Sequence, residues 1–268
     1  MKVLENKRTT LATGNHSVIA LTLCMAMNIS VVHAIVPIND SIDSKQGVSG
    51  SFRFGFNGQS GNKDKEEYSI DSLNRYRDGD NLFVFIGDYN YSETNSRRDE
   101  DELLLHGRWV AFDQFSDSVD SELFVQYEFD DFADLSSREL VGGNVRWRNE
   151  SISSEISSHS LFGIGAFHEI EQSERSNIRE ENNRLNLYTR FVYEKKGDHP
   201  YTFLLSTYLQ PNLSDEKDLR ALGLASINFP ILPSVSIAFQ VEINHNSTPF
   251  SDVEKTDIDY GMVFKYTF

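Results

Sequence analysis

The sequence predicts an all-β protein, an antiparallel transmembrane β-barrel of about 12 strands with short periplasmic turns and longer outer loops. Three observations predict it. Apolar and polar residues alternate at period two through most of the chain, short and long polar connections alternate between these runs, and the last run reaches an aromatic end, Phe268. Successive side chains of a strand point to opposite faces, so alternation marks a segment with one apolar and one polar face.

The first 34 residues read differently. Lys2, Lys7 and Arg8 form a basic start, Val18 to Met27 is an uncharged apolar run, and Val32 and Ala34 take the small-residue positions of a cleavage site. This predicts a signal peptide over residues 1–34, cut after Ala34. A membrane anchor is the competing reading, but the run falls well short of the roughly 20 residues a helical span needs. The only cysteine, Cys24, lies inside this segment, and Leu23 stands where lipoprotein processing wants a small residue. The exported chain therefore has no disulfide to rely on. Residues 35–46 carry no period and read as a periplasmic linker, leaving residues 47–268 for the barrel.

The first strand alternates Val48, Gly50, Phe52, Phe54 and Phe56 with polar residues. The pattern returns at Leu103 to Ala111, at Leu123 to Phe129, and at Leu185 to Tyr193, where Arg184, Asn186, Tyr188 and Arg190 take the other face. It returns again at Val235 to Ile243 and finally at Ile258, Tyr260, Met262, Phe264, Tyr266 and Phe268. That terminal run resembles the signal read by the outer-membrane assembly machinery, with Tyr260, Met262, Phe264, Tyr266 and Phe268 as its residues. Leu82 to Ile86 is apolar on both faces and leaves its orientation open. Short connections are predicted at Arg77 to Asn81, Asp113 to Ser118, Lys195 to Pro200 and Pro230 to Ser234. Long ones are predicted at Gly58 to Glu67, Ser92 to Asp101, Glu171 to Glu181 and Asn246 to Thr256.

The formal net charge is −16, and the signal segment holds Lys2, Lys7 and Arg8 against Glu5, so the exported part carries −18. Nucleic acid is a poor partner for such a surface, which has no basic patch to replace phosphate counterions. A negative mean hydropathy does not exclude a barrel, because only every second strand residue faces lipid.

Several constellations are candidates for chemistry. Arg53, His106, Arg108, Glu128, Arg184, Arg190, Glu242, Asp259 and Lys265 fall on the inward register, where they form a salt-bridged plug or line a narrow aqueous path. His245 and Ser247 have the His-x-Ser spacing of a lipid hydrolase, although neither an orienting group nor an oxyanion donor is identifiable. Asp64, Glu66, Glu67, Asp99, Glu100 and Asp101 are weak candidates for divalent cations shared with lipopolysaccharide phosphates; solvated loops are the plainer reading. No residue pattern calls for a cofactor.

Four stretches resemble a known family. Tyr127, Glu128, Asp130, Phe132, Leu135 and Arg138 with Gly142 and Gly143 form the first, and Tyr208, Gln210, Pro211, Leu213 and Asp215 the second. Pro249 with Lys255, Thr256 and Asp257, leading to Tyr266 and Phe268, form the third, and Gly61 with Asn62 the fourth. Together they are similar to the outer-membrane β-barrel family catalogued as domain of unknown function four-eighty-one, some members of which are labelled salt-induced. The resemblance implies a bacterial outer-membrane location and brings no reaction with it. The expected partners are outer-membrane lipid and lipopolysaccharide, with the barrel-assembly machinery and periplasmic chaperones during export. The expected function is a non-enzymatic barrel, either a small-solute or ion channel or an envelope-stabilising protein. A lipid-modifying hydrolase and a soluble periplasmic ligand-binding β-protein are the alternatives, and the oligomeric state is left open.

Overall fold

Period-two alternation is realised as strands throughout the computed structural model, which describes residues 46–232, 234–250 and 253–266. The predicted signal peptide, nearly all of the predicted linker, the side chains of Lys265 and Tyr266, and Phe268 lie outside the described residues. The strands are β1 (Gly47–Gln59), β2 (Lys65–Asp78), β3 (Asn81–Thr94), β4 (Arg97–Ser116), β5 (Val119–Asp130) and β6 (Leu135–Ile152). They continue as β7 (Ile156–Ser173), β8 (Arg179–Lys195), β9 (Tyr201–Pro211), β10 (Leu219–Leu232), β11 (Val235–Asn246) and β12 (Thr256–Tyr266). All 12 form one sheet in chain order, each antiparallel to the next. Among the described residues no ladder joins β1 to β12.

Three of the predicted long loops are shorter than expected because their acidic residues belong to strands. The Ser92–Asp101 connection narrows to Asn95 and Ser96, whose positive φ values of 50° and 62° match the right-handed strand twist in a tight hairpin. Asp99, Glu100 and Asp101 therefore stand on β4, and Glu66 and Glu67 on β2, with only Asp64 of the six cation candidates left in a loop. The Glu171–Glu181 loop likewise shrinks to residues 174–178. Backbone pairing stabilises these segments as strands, and a carboxylate on a solvated strand face costs little, so acidity alone does not mark a loop.

The two faces of the sheet have opposite character. Phe52, Phe54, Phe56, Leu123, Val125, Phe162, Ile164, Val241, Ile243, Tyr260, Met262 and Phe264 are all exposed, Tyr260 by 80%. The other face buries polar and charged residues together with two apolar clusters. Phe124, Leu140, Leu161, Phe167, Tyr188, Tyr208 and Leu222 make the larger. Leu82, Val84, Val110 and Phe112 make the smaller, with Leu73 and Ile86 packed against them.

Contacts across the buried face show that it is concave. Tyr188 Oη on β8 donates to Glu122 on β5 at 2.8 Å, and Arg220 on β10 reaches Glu169 on β7 at 3.0 Å. Two strands lie between the partners in each case, a span of about 14 Å in a flat sheet at the usual strand spacing. Glycines make the bend possible. A Cβ at Gly142 would stand 2.5 Å from Phe167 Cβ and 2.6 Å from Phe124 Cζ, and one at Gly163 would enter the Tyr188 ring.

Candidate functional site

Strand register brings the charges of the concave face into opposition. Arg138 on β6 stands opposite Glu128 on β5 and Glu171 on β7, and Asp120 on β5 opposite Arg146 on β6. The centre of the network is Glu169, fully buried, whose two carboxylate oxygens accept from three guanidinium groups. Arg138 Nη2 and Arg220 Nη1 reach Oε2 at 2.8 and 3.0 Å, and Arg184 Nε reaches Oε1. Each arginine has a second carboxylate: Glu128 for Arg138 at 2.8 Å, Glu171 for Arg220 at 2.6 Å and Asp218 for Arg184 at 2.6 Å.

Toward the other end of the same face lies a smaller network. Arg146 pairs with Asp120 at 2.7 Å and Glu122 at 2.9 Å, and Arg148 with Asp120 at 2.8 Å. Both guanidinium groups also lie over the Phe112 ring, at 5.4 and 5.2 Å from its centroid. Burying an ion costs several kcal/mol unless partners and hydrogen bonds compensate, so such charges are tolerated only as networks.

Of the residues placed inward by the sequence, His106, Arg108, Glu128, Arg184, Arg190 and Glu242 are buried on the concave face. His106 Nδ1 meets Gln126 Oε1 at 3.1 Å, and Arg108 Nε donates to His106 Nε2 at 3.2 Å. Arg53, by contrast, is exposed on β1 and reaches Asp71 at 3.4 Å, and Asp259 is half-buried on β12. Sequence reasoning missed Glu169, Arg146 and Arg220 as inward groups and took Arg138 only as a family motif. The signal available for Glu169 and Glu171 was their shared register with Phe167, a face that reads as mixed rather than charged.

His245 and Ser247 are turned to different partners. His245 Nδ1 meets Thr256 Oγ1 at 2.8 Å, while Ser247 Oγ donates to the Lys217 carbonyl at 2.8 Å and accepts from the Leu219 amide at 2.7 Å. Ser247 thus ties the β11–β12 loop to the β9–β10 loop. Among the described residues no group of three or more His, Cys, Asp or Glu side chains is placed to hold a metal ion.

The β9–β10 loop is anchored through Asp218. Burial raises its carboxyl, but two bonds from Arg184 at 2.6 and 3.0 Å, one from Asn212 at 2.9 Å and one from Thr248 at 2.8 Å outweigh this and hold it below its ordinary 3.8. A carboxyl depressed on folding contributes stability that is complete above the unfolded value and disappears as pH falls through the folded one. The stability difference between wild type and Asp218→Asn is therefore expected to hold constant near neutrality and to shrink as pH drops below 3.8. Guanidinium midpoints across that range check this; a difference independent of pH would count against it.

Above the Glu169 network, at the end of the sheet carrying the 131–134 and 212–218 connections, lies a pocket partly open to solvent. Arg138, Arg220 and Asn244 line its base, and Pro249, Phe250 and Val253 line its wall. Among the described residues, the buried side-chain atoms Arg220 Nε and Asn244 Oδ1 have no hydrogen-bond partner. Their residues are only 6% and 8% exposed. A buried polar group left unsatisfied costs about 1–3 kcal/mol.

A family model described as "Protein of unknown function, DUF481" matches residues 52–268. No curated protein and no solved structure matches the chain.

Proposed function

The chain belongs to the DUF481 family, whose description names no activity, and on its own residues we propose that it is a non-enzymatic outer-membrane β-barrel with a sealed interior, serving the envelope as a structural element. The observation that carries this reading is the inverted polarity of the sheet. Phe52, Phe162, Val241 and Tyr260 lie exposed on one face, while Glu169, Arg184 and Arg138 are buried on the other. Water favours the reverse arrangement; a lipid exterior around a polar interior favours this one. Strands β1 and β12 close on each other in this reading, since an unpaired edge in hydrocarbon leaves a row of backbone groups unsatisfied. Export rests on the signal peptide expected over residues 1–34. Lipid and lipopolysaccharide are the surroundings, and the assembly machinery engages the strand bearing Tyr260, Met262 and Phe264.

Sealing is supported by the packing of the concave face. The Glu169 network and the cluster of Phe124, Phe167, Tyr188 and Tyr208 fill it from β5 to β10. The test is fractionation of cells expressing the whole chain, then planar-bilayer recording of the purified protein. Recovery with outer membranes, heat-modifiable migration in detergent and no conductance steps are expected. A water-soluble periplasmic protein would overturn the barrel, and stable ion-selective steps would overturn the sealed interior.

A further inference from the structure

We propose that the protein pairs with a second copy of itself inside the membrane, through the outward face of β1 to β3, with Asn74 of each copy hydrogen-bonded to Asn74 of the other. The pairing rests on the outer-membrane reading, since only there does this face meet lipid.

Alternation fixes where Asn74 stands. Its chain neighbour Leu73 packs against the smaller cluster of the concave face, so Asn74 shares the outward face with Ile70, Ser72 and Tyr76. Two aromatic levels bound that face. Beside the short β2–β3 turn, Tyr76 stacks on Phe83 and Phe83 on Trp109, with centroids 6.3 and 6.4 Å apart. Toward the other end Tyr68 meets Phe56 at 5.1 Å and Tyr91 at 6.1 Å. Two aromatic levels are what the two interfaces of a membrane select in a barrel. Tyr68 and Tyr76 are eight residues apart on β2, about 26 Å along a strand and about 20 Å in depth at the usual barrel tilt. Ser72 is midway between them, and Asn74 is two residues inside the Tyr76 level.

That depth suits an amide poorly. The cross-strand neighbours of Asn74 are Gly50 on β1 and Phe85 on β3, with Phe52 and Phe83 on the diagonals. All three rings are exposed on the same face. Asn74 is exposed among them, and among the described residues no group hydrogen-bonds its carboxamide. Hydrocarbon offers neither a donor nor an acceptor, so an amide placed there stays costly until a partner arrives.

A second copy supplies what lipid lacks. A carboxamide has both N–H groups and a carbonyl, so two of them related by a two-fold axis satisfy each other. Polar side chains join membrane segments in this way, and one Asn in an apolar contact fixes which chains associate and in what register. A phospholipid ester has acceptors only and leaves Asn74 Oδ1 unmatched. The surface also permits close approach. Gly50 and Gly87 put no side chain beside Asn74 and Ser72, and the carboxamide lies over Gly50, where a Cβ would stand 3.1 Å from Asn74 Oδ1.

The experiment uses the full chain expressed in cells and purified from their membranes in a neutral detergent. Sedimentation equilibrium reads the dissociation constant of the pair. Wild type is expected to form a reversible dimer, Asn74→Leu to weaken it at least tenfold, and Asn74→Gln to restore most of the loss. Thr207→Val, which removes an outward hydroxyl on β9, is expected to change nothing. In whole membranes Asn74→Cys in a Cys24→Ser background is expected to cross-link on mild oxidation to a species of twice the mass, and Thr207→Cys is not. Heat-modifiable migration checks the fold of each variant. A heat-modifiable wild type that stays monomeric would overturn the pairing and leave the barrel standing. So would an Asn74→Leu dimer as tight as wild type, or cross-linking of Asn74→Cys to a different protein alone. Recovery of a water-soluble chain would overturn the barrel and the pairing together, because Asn74 would then face water.

Discussion

Glu169→Ala is expected to lower the stability of the folded sheet by about 3–5 kcal/mol, the range for removing one partner of a buried ion pair. Glu169 is fully buried and accepts from Arg138, Arg184 and Arg220. Without it Arg184 keeps Asp218, Arg220 keeps Glu171 and Arg138 keeps Glu128, but the guanidinium groups face each other across an emptied centre. Glu169→Gln is expected to cost less, because it keeps an acceptor and leaves three guanidinium groups matched by the three carboxylates of Glu128, Glu171 and Asp218. Arg53→Ala serves as the contrast, since its pair with Asp71 is exposed and such pairs contribute about 0–1 kcal/mol. Guanidinium unfolding in detergent micelles measures all three. A Glu169→Ala cost no larger than that of Arg53→Ala would show that the network does not hold the fold together.

Gly163→Ala is the second large effect, expected at about 1–3 kcal/mol from overpacking. Its new methyl group would enter the Tyr188 ring. That ring has nowhere easy to go: it stacks on Tyr208 with centroids 5.3 Å apart, and its hydroxyl donates to Glu122 at 2.8 Å. Repacking would disturb the apolar cluster and the Asp120–Arg146 network together. If the ring is the obstacle, Gly163→Ala should cost far less in a Tyr188→Ala background, and a double-mutant cycle reads that coupling. Equal costs in the two backgrounds would place the obstacle elsewhere.

The strands were legible in the sequence wherever the two faces differ in polarity. β11 and β12 show this, with Val241 and Ile243 facing outward opposite Glu242 and Asn244. β3 was ambiguous for a physical reason: Leu82 and Val84 pack into the smaller cluster while Phe83 and Phe85 lie exposed, so both faces are apolar. The hairpin at Asn95 and Ser96 was hidden by the acidic run around it, although Asn is among the residues that tolerate positive φ.

The buried network was legible as inward register but not as partners. Alternation places Arg184 on a face, yet nothing local says that its carboxylates come from β7 and from the loop before β10. Such pairings depend on curvature, which the glycines at 142 and 163 permit and which a strand-by-strand reading does not see. The pocket was less visible still, since its orphan atoms exist only once Glu169, Glu171 and Glu242 have claimed the other donors and acceptors around them.

The sequential order of the sheet has a kinetic consequence. Every ladder among the described residues joins neighbours in the chain, so these hairpins can form early and at low loop-closure entropy, the regime in which folding is fast. The Glu169 network draws on strands from β5 to β10, so its charges find their last partners only when β10 docks. Early hairpins would thus carry Glu169 and Arg138 with part of their shell, which Arg220 completes when β10 arrives.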